Sequence, residues 1–246
     1  IFLICVEFLG CFDLYQIAVY QFEVAKPADM SNMNDEIKEI LKGSYDLHVH
    51  SGPSAGGERR LDALDTARQA YEAEMDGFTL KSHDYMTAPL AYALNLMYPG
   101  LNVSGSIVLN YSVGGLNADA VEVAAKLNAK VVWMPTIDAA LTRKERGEGP
   151  GIRLTEDSGA IRSELIDILD IIGQNDLVLA SGHASPSEAI ALFKEARNRG
   201  IRRMIATHPG EVSTEKDLSD MISLGATIEY PFLWCMPSRG PIVGGS

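Results

Sequence analysis

The sequence has few cysteines and fewer basic than acidic residues. Its three cysteines, Cys5, Cys11 and Cys235, are spaced for neither a disulfide framework nor a zinc knuckle, so a reducing, cytoplasmic setting is expected. The 21 basic residues are outnumbered by 33 acidic ones, and the formal net charge of −12 argues against binding to nucleic acids or to anionic membranes. The expected partner is therefore a small-molecule substrate, and assembly into a homo-oligomer stays open.

Two kinds of motif are also missing. Neither G-x-G-x-x-G nor G-x-x-x-x-G-K-[ST] occurs, which removes the usual signatures of dinucleotide-binding and P-loop proteins. A long apolar run is missing too, because Glu7 and Asp13 interrupt the apolar first residues and no basic stretch precedes them. We therefore interpret residues 1–29 as an appended extension rather than a signal or membrane anchor, and residues 30–246 as the domain.

Within that domain, seven apolar stretches alternate with loops and helical patterns. The predicted strands cover residues 44–50, 77–83, 101–110, 130–136, 176–183, 202–208 and 225–231. Such repeats form parallel sheets covered by helices, so the pattern predicts an α/β fold. A doubly wound open sheet and a (β/α)8 barrel both fit. We favour a TIM-like barrel, and because residues 30–246 leave room for seven units but not eight, we expect a fragment that stops before the eighth strand and helix.

Two helix starts are marked by capping sequences. Ser185 is followed by Pro186 and then by Glu188, which is a capping box with proline at the first helical position. Thr214 is followed three residues later by Asp217. Both sequences predict that a helix begins shortly after a strand.

All five histidines lie at the carboxyl end of a predicted strand. They are His48 and His50 on the first strand, His83 on the second, His183 on the fifth and His208 on the sixth. In a (β/α)8 barrel, active sites are built at this end, and side chains two residues apart on a strand point the same way. One such histidine more often caps a strand or bonds to a loop, but five together favour a metal site, since imidazole is a good ligand of zinc, iron and nickel.

Three charged residues near the strand ends are candidates for catalysis. Lys81 lies two residues before His83 and shares its face, so it contacts a substrate anion or carbonyl or, alternatively, reaches solvent. Asp84 and Glu229 are the acidic residues nearest the strand ends and are candidate general bases. Glu229 could face either the barrel mouth or the helix layer.

Two loops on the same side are further candidates. The glycine-rich loop after the first strand is followed by Arg59 and Arg60, which either bind a carboxylate or phosphate or are simply solvated. The polar stretch over residues 141–159 follows the fourth strand and is either a lid or disordered. Trp133, near the end of the fourth strand, either lines a pocket or packs in the core.

The segment Asp46-Leu47-His48-Val49-His50 resembles the D-x-H-x-H opening of the amidohydrolase superfamily of metal-dependent hydrolases. The positions of His183 and His208 match those of that superfamily's other two histidine ligands. The resemblance, which covers about residues 44–231, implies that a metal-bound hydroxide attacks the carbonyl of an amide, ester or lactone. Zinc is the expected divalent ion, with manganese or iron as alternatives.

Two residues of that superfamily's site have no counterpart in this sequence. The aspartate that ends strand eight and serves as general base cannot be assigned. The lysine that bridges two metals from strand four is also absent, because Lys130 lies at the wrong end of that strand. A mononuclear site is therefore expected, and a metal-binding but inactive barrel is the alternative of another class.

A second resemblance is nearly as close. DLHVHS followed by LKSHDY is similar to the opening of PHP-type phosphoesterases, which hold two or three metals. His83 matches the third histidine of that pattern and Asp84 the residue after it. Ser82 stands where the pattern has aspartate. This resemblance implies phosphoester hydrolysis instead of attack on a carbonyl.

Overall fold

The structure, a computed structural model, describes residue 37 and residues 39–231. The interpreted extension over residues 1–29 and the residues after 231 lie outside this range. Among the described residues, no helix is long and apolar enough to cross a membrane.

Seven parallel strands form one sheet in which spatial order follows sequence order, from β1 to β7. The strands are β1 (Tyr45–His50), β2 (Gly77–Lys81), β3 (Asn102–Val108), β4 (Ala129–Trp133), β5 (Val178–Ala180), β6 (Met204–Ala206) and β7 (Ala226–Ile228). Each lies within a predicted strand except that β4 begins one residue earlier. The predicted α/β fold with a parallel sheet is confirmed.

Helices connect the strands. They are α1 (Ala63–Glu72), α2 (Ala88–Met97), α3 (Ala118–Lys126), α4 (Ala140–Glu145), α5 (Glu164–Gln174), α6 (Pro186–Asn198) and α7 (Glu215–Ser223). The capping box that begins α6 is present, with the Ser185 side chain accepting from the Glu188 N–H. Thr214 and Asp217 form the corresponding box at the start of α7. Both predictions of helix starts are thus confirmed.

The sheet has two differently packed faces, and alternation along β4 shows both. Val132 belongs to the large apolar cluster between the sheet and the helices, together with residues such as Leu169 and Phe193. Its neighbours Val131 and Trp133 belong to a small cluster that also contains Val108, Ala180 and Ile205. Successive side chains of a strand point to opposite faces, so this second cluster marks the inner face of the sheet.

The sheet curls until its two ends come close to each other. The Nδ1 atom of His48, on β1, lies 2.8 Å from the Oε1 atom of Glu229, which directly follows β7. These are the first and last strands of the sheet, so the contact requires a curled, half-barrel shape. Within the described residues, β1 and β7 are not paired with each other.

The polar stretch over residues 141–159 packs against the sheet rather than being disordered. It begins within α4, and Ala139 pairs with Ile152 in an isolated bridge. Leu154 is buried, and its N–H donates to the Glu188 carboxylate over 2.8 Å. Of the two alternatives, a lid or disorder, the structure excludes disorder around Leu154, because this hydrogen bond ties the stretch to α6.

Candidate functional site

The five histidine side chains form a closed ring at the carboxyl ends of the strands, called the histidine ring below. Neighbouring ring centroids are separated by 5.0 Å for His48–His50, 4.6 Å for His50–His83, 6.4 Å for His83–His183, 5.1 Å for His183–His208 and 5.8 Å for His208–His48. Four different strands or the loops after them contribute these residues. The curl of the sheet therefore brings together histidines that lie up to 160 positions apart in the sequence.

His48 and His50 meet because they share the inner side of β1. Their Nε2 atoms are 3.1 Å apart. The register between β1 and β2 is irregular between Asp46 and Val49, an interval that contains Leu47 and His48. Irregularities of this kind change the direction of side chains at the edges of sheets. The Asp46 carboxylate accepts the His48 backbone N–H over 2.9 Å and so supports this local geometry.

A buried polar network fixes His83. Its Nδ1 atom lies 2.7 Å from the hydroxyl oxygen of Thr136. The Asn110 amide donates both to the His83 carbonyl, over 3.0 Å, and to the Thr136 hydroxyl, over 2.9 Å. Asn110 and Thr136 are fully buried. Loops after three strands thus hold this imidazole in one orientation.

Backbone constraints position His183. The preceding Gly182 has φ +60°, and a Cβ there would collide with the carbonyl oxygens of Met134 and Pro135, so only glycine fits. The His183 N–H donates to the Pro135 carbonyl over 2.9 Å. The Thr142 hydroxyl of α4 lies 3.3 Å from the His183 Nδ1 atom. The close approach of two backbone segments therefore places this imidazole.

His208 adopts a strained backbone conformation next to Glu229. Its φ is +29°, a positive value that non-glycine residues rarely adopt and that costs about 1–3 kcal/mol. The His208 N–H donates to the Glu229 Oε2 atom over 3.1 Å. Strain of this kind is found where the surroundings hold a functional residue in place.

Glu229, His48 and Lys81 form a buried chain of polar contacts. One oxygen of Glu229 lies 2.8 Å from His48 Nδ1, and the Lys81 Nζ atom lies 2.9 Å from His48 Nε2. A carboxylate at Nδ1 favours the tautomer that carries its proton there, so the Nε2 lone pair faces Lys81 and the histidine ring. Lys81 also lies 4.1 Å above the ring of Trp133. The lysine and glutamate are each only 1% exposed.

Burial is the largest cause of the pKa shifts of Lys81 and Glu229. Loss of solvation lowers the pKa of Lys81 to about 7, although the Glu229 carboxylate opposes that change. The same loss of solvation raises the pKa of Glu229, and the nearby Lys81 and His208 oppose it. Burial thus favours the neutral form of both Lys81 and Glu229.

The histidines are neutral for the same reason. Burial is the largest cause that lowers the pKa of all five, and the Lys81 charge lowers each of them further. The pKa of His83 falls to about 3 and that of His183 to about 2. Metal ligation needs the neutral imidazole with a free lone pair, so the electrostatics of the ring suit ligands at neutral pH.

The donor set fits a divalent metal ion. Among the described residues, His48, His208 and Glu229 bring one ligand atom each within 4.8 Å of one another. The His48 and His50 Nε2 atoms, 3.1 Å apart, are spaced nearly as two nitrogens of a tetrahedral zinc site, which lie about 3.3 Å apart. His183 and His83 lie farther round the ring. Among the described residues, His48, His208 and Glu229 are therefore close enough together to share one ion, and His50, His183 and His83 are their neighbours in the histidine ring.

The structure brings together most of the residues that the sequence singled out. Lys81 faces the histidine ring and is buried, so it does not reach solvent. Glu229 faces the ring and not the helix layer. Asp84 is engaged elsewhere, since its Oδ2 atom accepts from the Ser54 hydroxyl and from the Ala55 N–H. Arg59 and Arg60 are exposed.

Sequence reasoning missed the residues that orient the histidines. Thr136, Thr142 and Asn110 contact His83 or His183, but a threonine or asparagine after a strand resembles any loop residue. The one available signal is their position just beyond strands β3 and β4, on the side where the histidines lie. Trp133, noted as pocket or core, is fully buried with its ring 4.6 Å from that of His48.

Comparison with known proteins identifies the family of the chain. No curated protein matches the sequence at a significant level. Residues 43–229 match a family described as a family of unknown function, DUF6282. The matched range contains the whole seven-stranded sheet, all five histidines, Lys81 and Glu229. The chain therefore belongs to the DUF6282 family.

Proposed function

We propose that this protein is a metal-dependent hydrolase that acts on a carbonyl centre, as the likeness of its first strand to the amidohydrolases suggests. The observation that carries the proposal is the histidine ring, in which five neutral imidazoles from four strand ends meet beside a buried glutamate and a buried lysine. Neutral imidazoles that meet at one point are typical of sites for zinc, iron or nickel, because each offers a nitrogen lone pair as a ligand. The curled sheet would be the larger part of a (β/α)8 barrel, whose active sites lie at this end.

His48, His50, His183 and His208 would hold one divalent ion, most suitably zinc, with Glu229 as a fifth donor or as the partner that orients His48. When bound, such an ion supplies Lewis-acid polarisation of a substrate oxygen and acidifies water. Both oxygens of Glu229 already have partners, namely His48 Nδ1 and the His208 N–H. These two bonds favour the orienting role, which resembles the carboxylate–histidine pairs that support metal sites in general.

Lys81 would contact the substrate. Its Nζ atom lies at the inner side of the ring, 2.9 Å from His48 Nε2, and the stem is enclosed by the sheet. A hydrogen bond from Nζ to a substrate carbonyl oxygen would stabilise negative charge that develops there, in a site that excludes water. Trp133 supports the ammonium group through its ring face, 4.1 Å away.

One observation favours a phosphoesterase as the second candidate. His83 lies directly beside His50, with ring centroids 4.6 Å apart, where a second metal ion would need a ligand. The hydrogen bonds of Asp84 weigh against this candidate, because they hold its carboxylate on the loop after β1. One metal ion and a carbonyl substrate therefore remain the better proposal.

Metal content tests the site. We expect the purified chain to bind about one zinc ion, and His48→Ala/His50→Ala to lose it, because two of the ligands are removed. Elemental analysis after loading and gel filtration measures this, and far-ultraviolet circular dichroism confirms that the variant is folded. Asp84→Asn is the matched control and should retain the metal. Equal metal content in the wild type and the double variant would contradict the proposal.

Activity separates a hydrolase from an inactive metal-binding protein. The metal-loaded and chelator-treated proteins are compared on a panel of amide, ester, lactone and phosphoester substrates. Turnover of a carbonyl substrate that is lost with the metal and restored by zinc supports the hydrolase. Turnover of phosphoesters alone supports the second candidate, and metal binding without any turnover supports an inactive barrel.

A further inference from the structure

Most arginines in the described residues have a partner. Six form ion pairs: Arg68, Arg143, Arg153, Arg162, Arg199 and Arg203. Arg197 donates to the Ser223 carbonyl. Within residues 39–231, no side-chain hydrogen bond or ion pair engages Arg59, Arg60, Arg146 or Arg202. Three of these four follow β1 or β4, on the side of the histidine ring.

Arg59 lies in a loop that is fastened to the rim of the site. The loop follows β1, and Asp84 holds it by accepting from the Ser54 hydroxyl over 3.2 Å and from the Ala55 N–H over 2.8 Å. The Arg59 charge contributes to the lowered pKa of both His50 and His83. The guanidinium is exposed, on a loop that is bonded to the residue directly after His83.

Arg146 approaches the ring from the opposite loop. It caps the C-terminus of α4, and its backbone N–H donates to the Thr142 carbonyl. The Thr142 hydroxyl lies 3.3 Å from His183 Nδ1, so α4 contacts the histidine ring. The Arg146 charge contributes, like that of Arg59, to the lowered pKa of His83. The loops after β1 and β4 thus each carry a cation on the side of the sheet where His83 and His183 lie.

Neither cation is neutralised by its surroundings. Arg143, on the same helix as Arg146, is paired with Asp138 at 3.0 Å and with Glu148 at 3.3 Å. The sequence neighbours Glu58 and Glu145 form no ion pair with Arg59 or Arg146 among the described residues. Two guanidinium groups that form no ion pair among the described residues, on loops beside one ring of histidines, are therefore free to contact an anionic ligand.

We propose that Arg59 and Arg146 together bind an anionic group, a carboxylate or a phosphate, of the substrate at the mouth of the histidine ring. A guanidinium presents paired donors that match the oxygens of either group, and two of them approach from different loops. The reacting bond would then lie on the Lys81 side of the ring. What reacts there rests on the proposed function, whereas binding of the anion itself needs no metal.

The test measures anion binding to the metal-free protein in the presence of a chelator. Succinate and inorganic phosphate are titrated separately by isothermal calorimetry at low ionic strength. We expect millimolar binding of at least one anion, weakened about five- to tenfold by Arg59→Gln and by Arg146→Gln, since a charge-assisted contact is lost in each. Arg202→Gln is the matched control: it is also exposed and unpaired within the described residues, but it precedes β6 at the opposite end, and it should bind as the wild type does.

Each outcome decides the proposal. Tighter binding of succinate assigns a carboxylate, and tighter binding of phosphate assigns a phosphate group. No binding by the wild type, or equal binding by the wild type and Arg59→Gln/Arg146→Gln, overturns the anion site. Zinc content of this double variant is measured in parallel. Unchanged zinc content with lost anion binding supports the anion site alone, and absence of zinc from every protein points to failure of the proposed function instead.

Discussion

The two faces of the sheet bury different kinds of side chain. The outer face packs against the helices through aliphatic side chains such as Leu169 and Leu192, which need no partners beyond one another. The inner face, at the carboxyl ends, buries Lys81, Glu229 and the histidine ring. The first arrangement stabilises the fold, since burial of apolar area is its main driving force. The second arrangement costs stability, because ionisable groups are taken out of water.

The comparison distinguishes the strand ends from the rest of the molecule. Ion pairs elsewhere on the molecule are largely exposed, as for Lys42–Glu74 and Lys126–Glu122, and contribute little to stability. At the strand ends, the same residue types are buried and have shifted pKa values. Groups of this kind that gather in one place are a physical sign of a functional site.

The largest expected effect lies on the outer face. Leu169→Ala should lower the free energy of unfolding by about 3 kcal/mol, because it removes a fully buried side chain and leaves a cavity. Zinc content should not change. Leu96→Ala, at an exposed position of α2, is the control and should change stability by less than about 0.5 kcal/mol. Loss of metal in Leu169→Ala would show that the two faces are not independent. Denaturant titration and elemental analysis measure both quantities.

A smaller effect should appear in the pH dependence of stability. The pKa values of His83 and His183 are about 3 and about 2, against an ordinary value of 6.5, so below pH 6.5 the unfolded chain binds protons that the folded chain does not. Acid therefore favours unfolding. Each of these two histidines should remove about 1 kcal/mol of stability between pH 6.5 and pH 5.5.

Denaturant titrations of the metal-free protein at several pH values measure this slope. His83→Asn/His183→Asn should flatten it by about 2 kcal/mol over that pH unit. Glu229, with a raised pKa, changes the slope in the opposite direction but is present in both proteins. An unchanged slope in the double variant would mean that these histidines titrate normally.

The smallest effect concerns the buried lysine. Lys81→Met should increase affinity for zinc about tenfold, because the ammonium group repels a bound cation, while its pKa of about 7 means that only part of the protein carries this charge at neutral pH. The pKa values of all five histidines should rise, since the Lys81 charge lowers each of them. Competition with a zinc-sensitive dye and NMR titration of the imidazoles measure the two changes. Lys130→Met, at an exposed lysine on β4, is the control. Unchanged affinity in Lys81→Met would separate the lysine from the metal site.

Local patterns predicted the elements well. The strands were found because apolar runs bounded by turn residues depend on nearby sequence alone, and the capping boxes of α6 and α7 depend on four residues each. The predicted strands were too long at their carboxyl ends, for instance over residues 176–183, where β5 is Val178–Ala180. Beyond Ala180 the chain turns at Gly182 under a contact with Met134 and Pro135, which no local pattern contains.

The candidate site was predicted in part. The histidines were found because strand ends of parallel units share one edge, a rule that needs no coordinates. The burial of Lys81 and the direction of Glu229 could not be found in this way, since each depends on how far the sheet curls. Asp84 was a candidate base from the sequence. Only the structure shows that its carboxylate accepts hydrogen bonds from the loop after β1.

The sequence alone determined the order and type of the strands and the edge of the sheet at which the histidines lie. The alternation of apolar strands with helical segments, and the direction in which each strand runs, can be inferred from short stretches of sequence. The closure of the histidine ring was decided only by the tertiary structure. His48 and Glu229 are 181 positions apart and meet because the sheet curls until β1 approaches β7. That curl is a sum of small twists between neighbouring strands, and each twist is set by packing that no single segment contains.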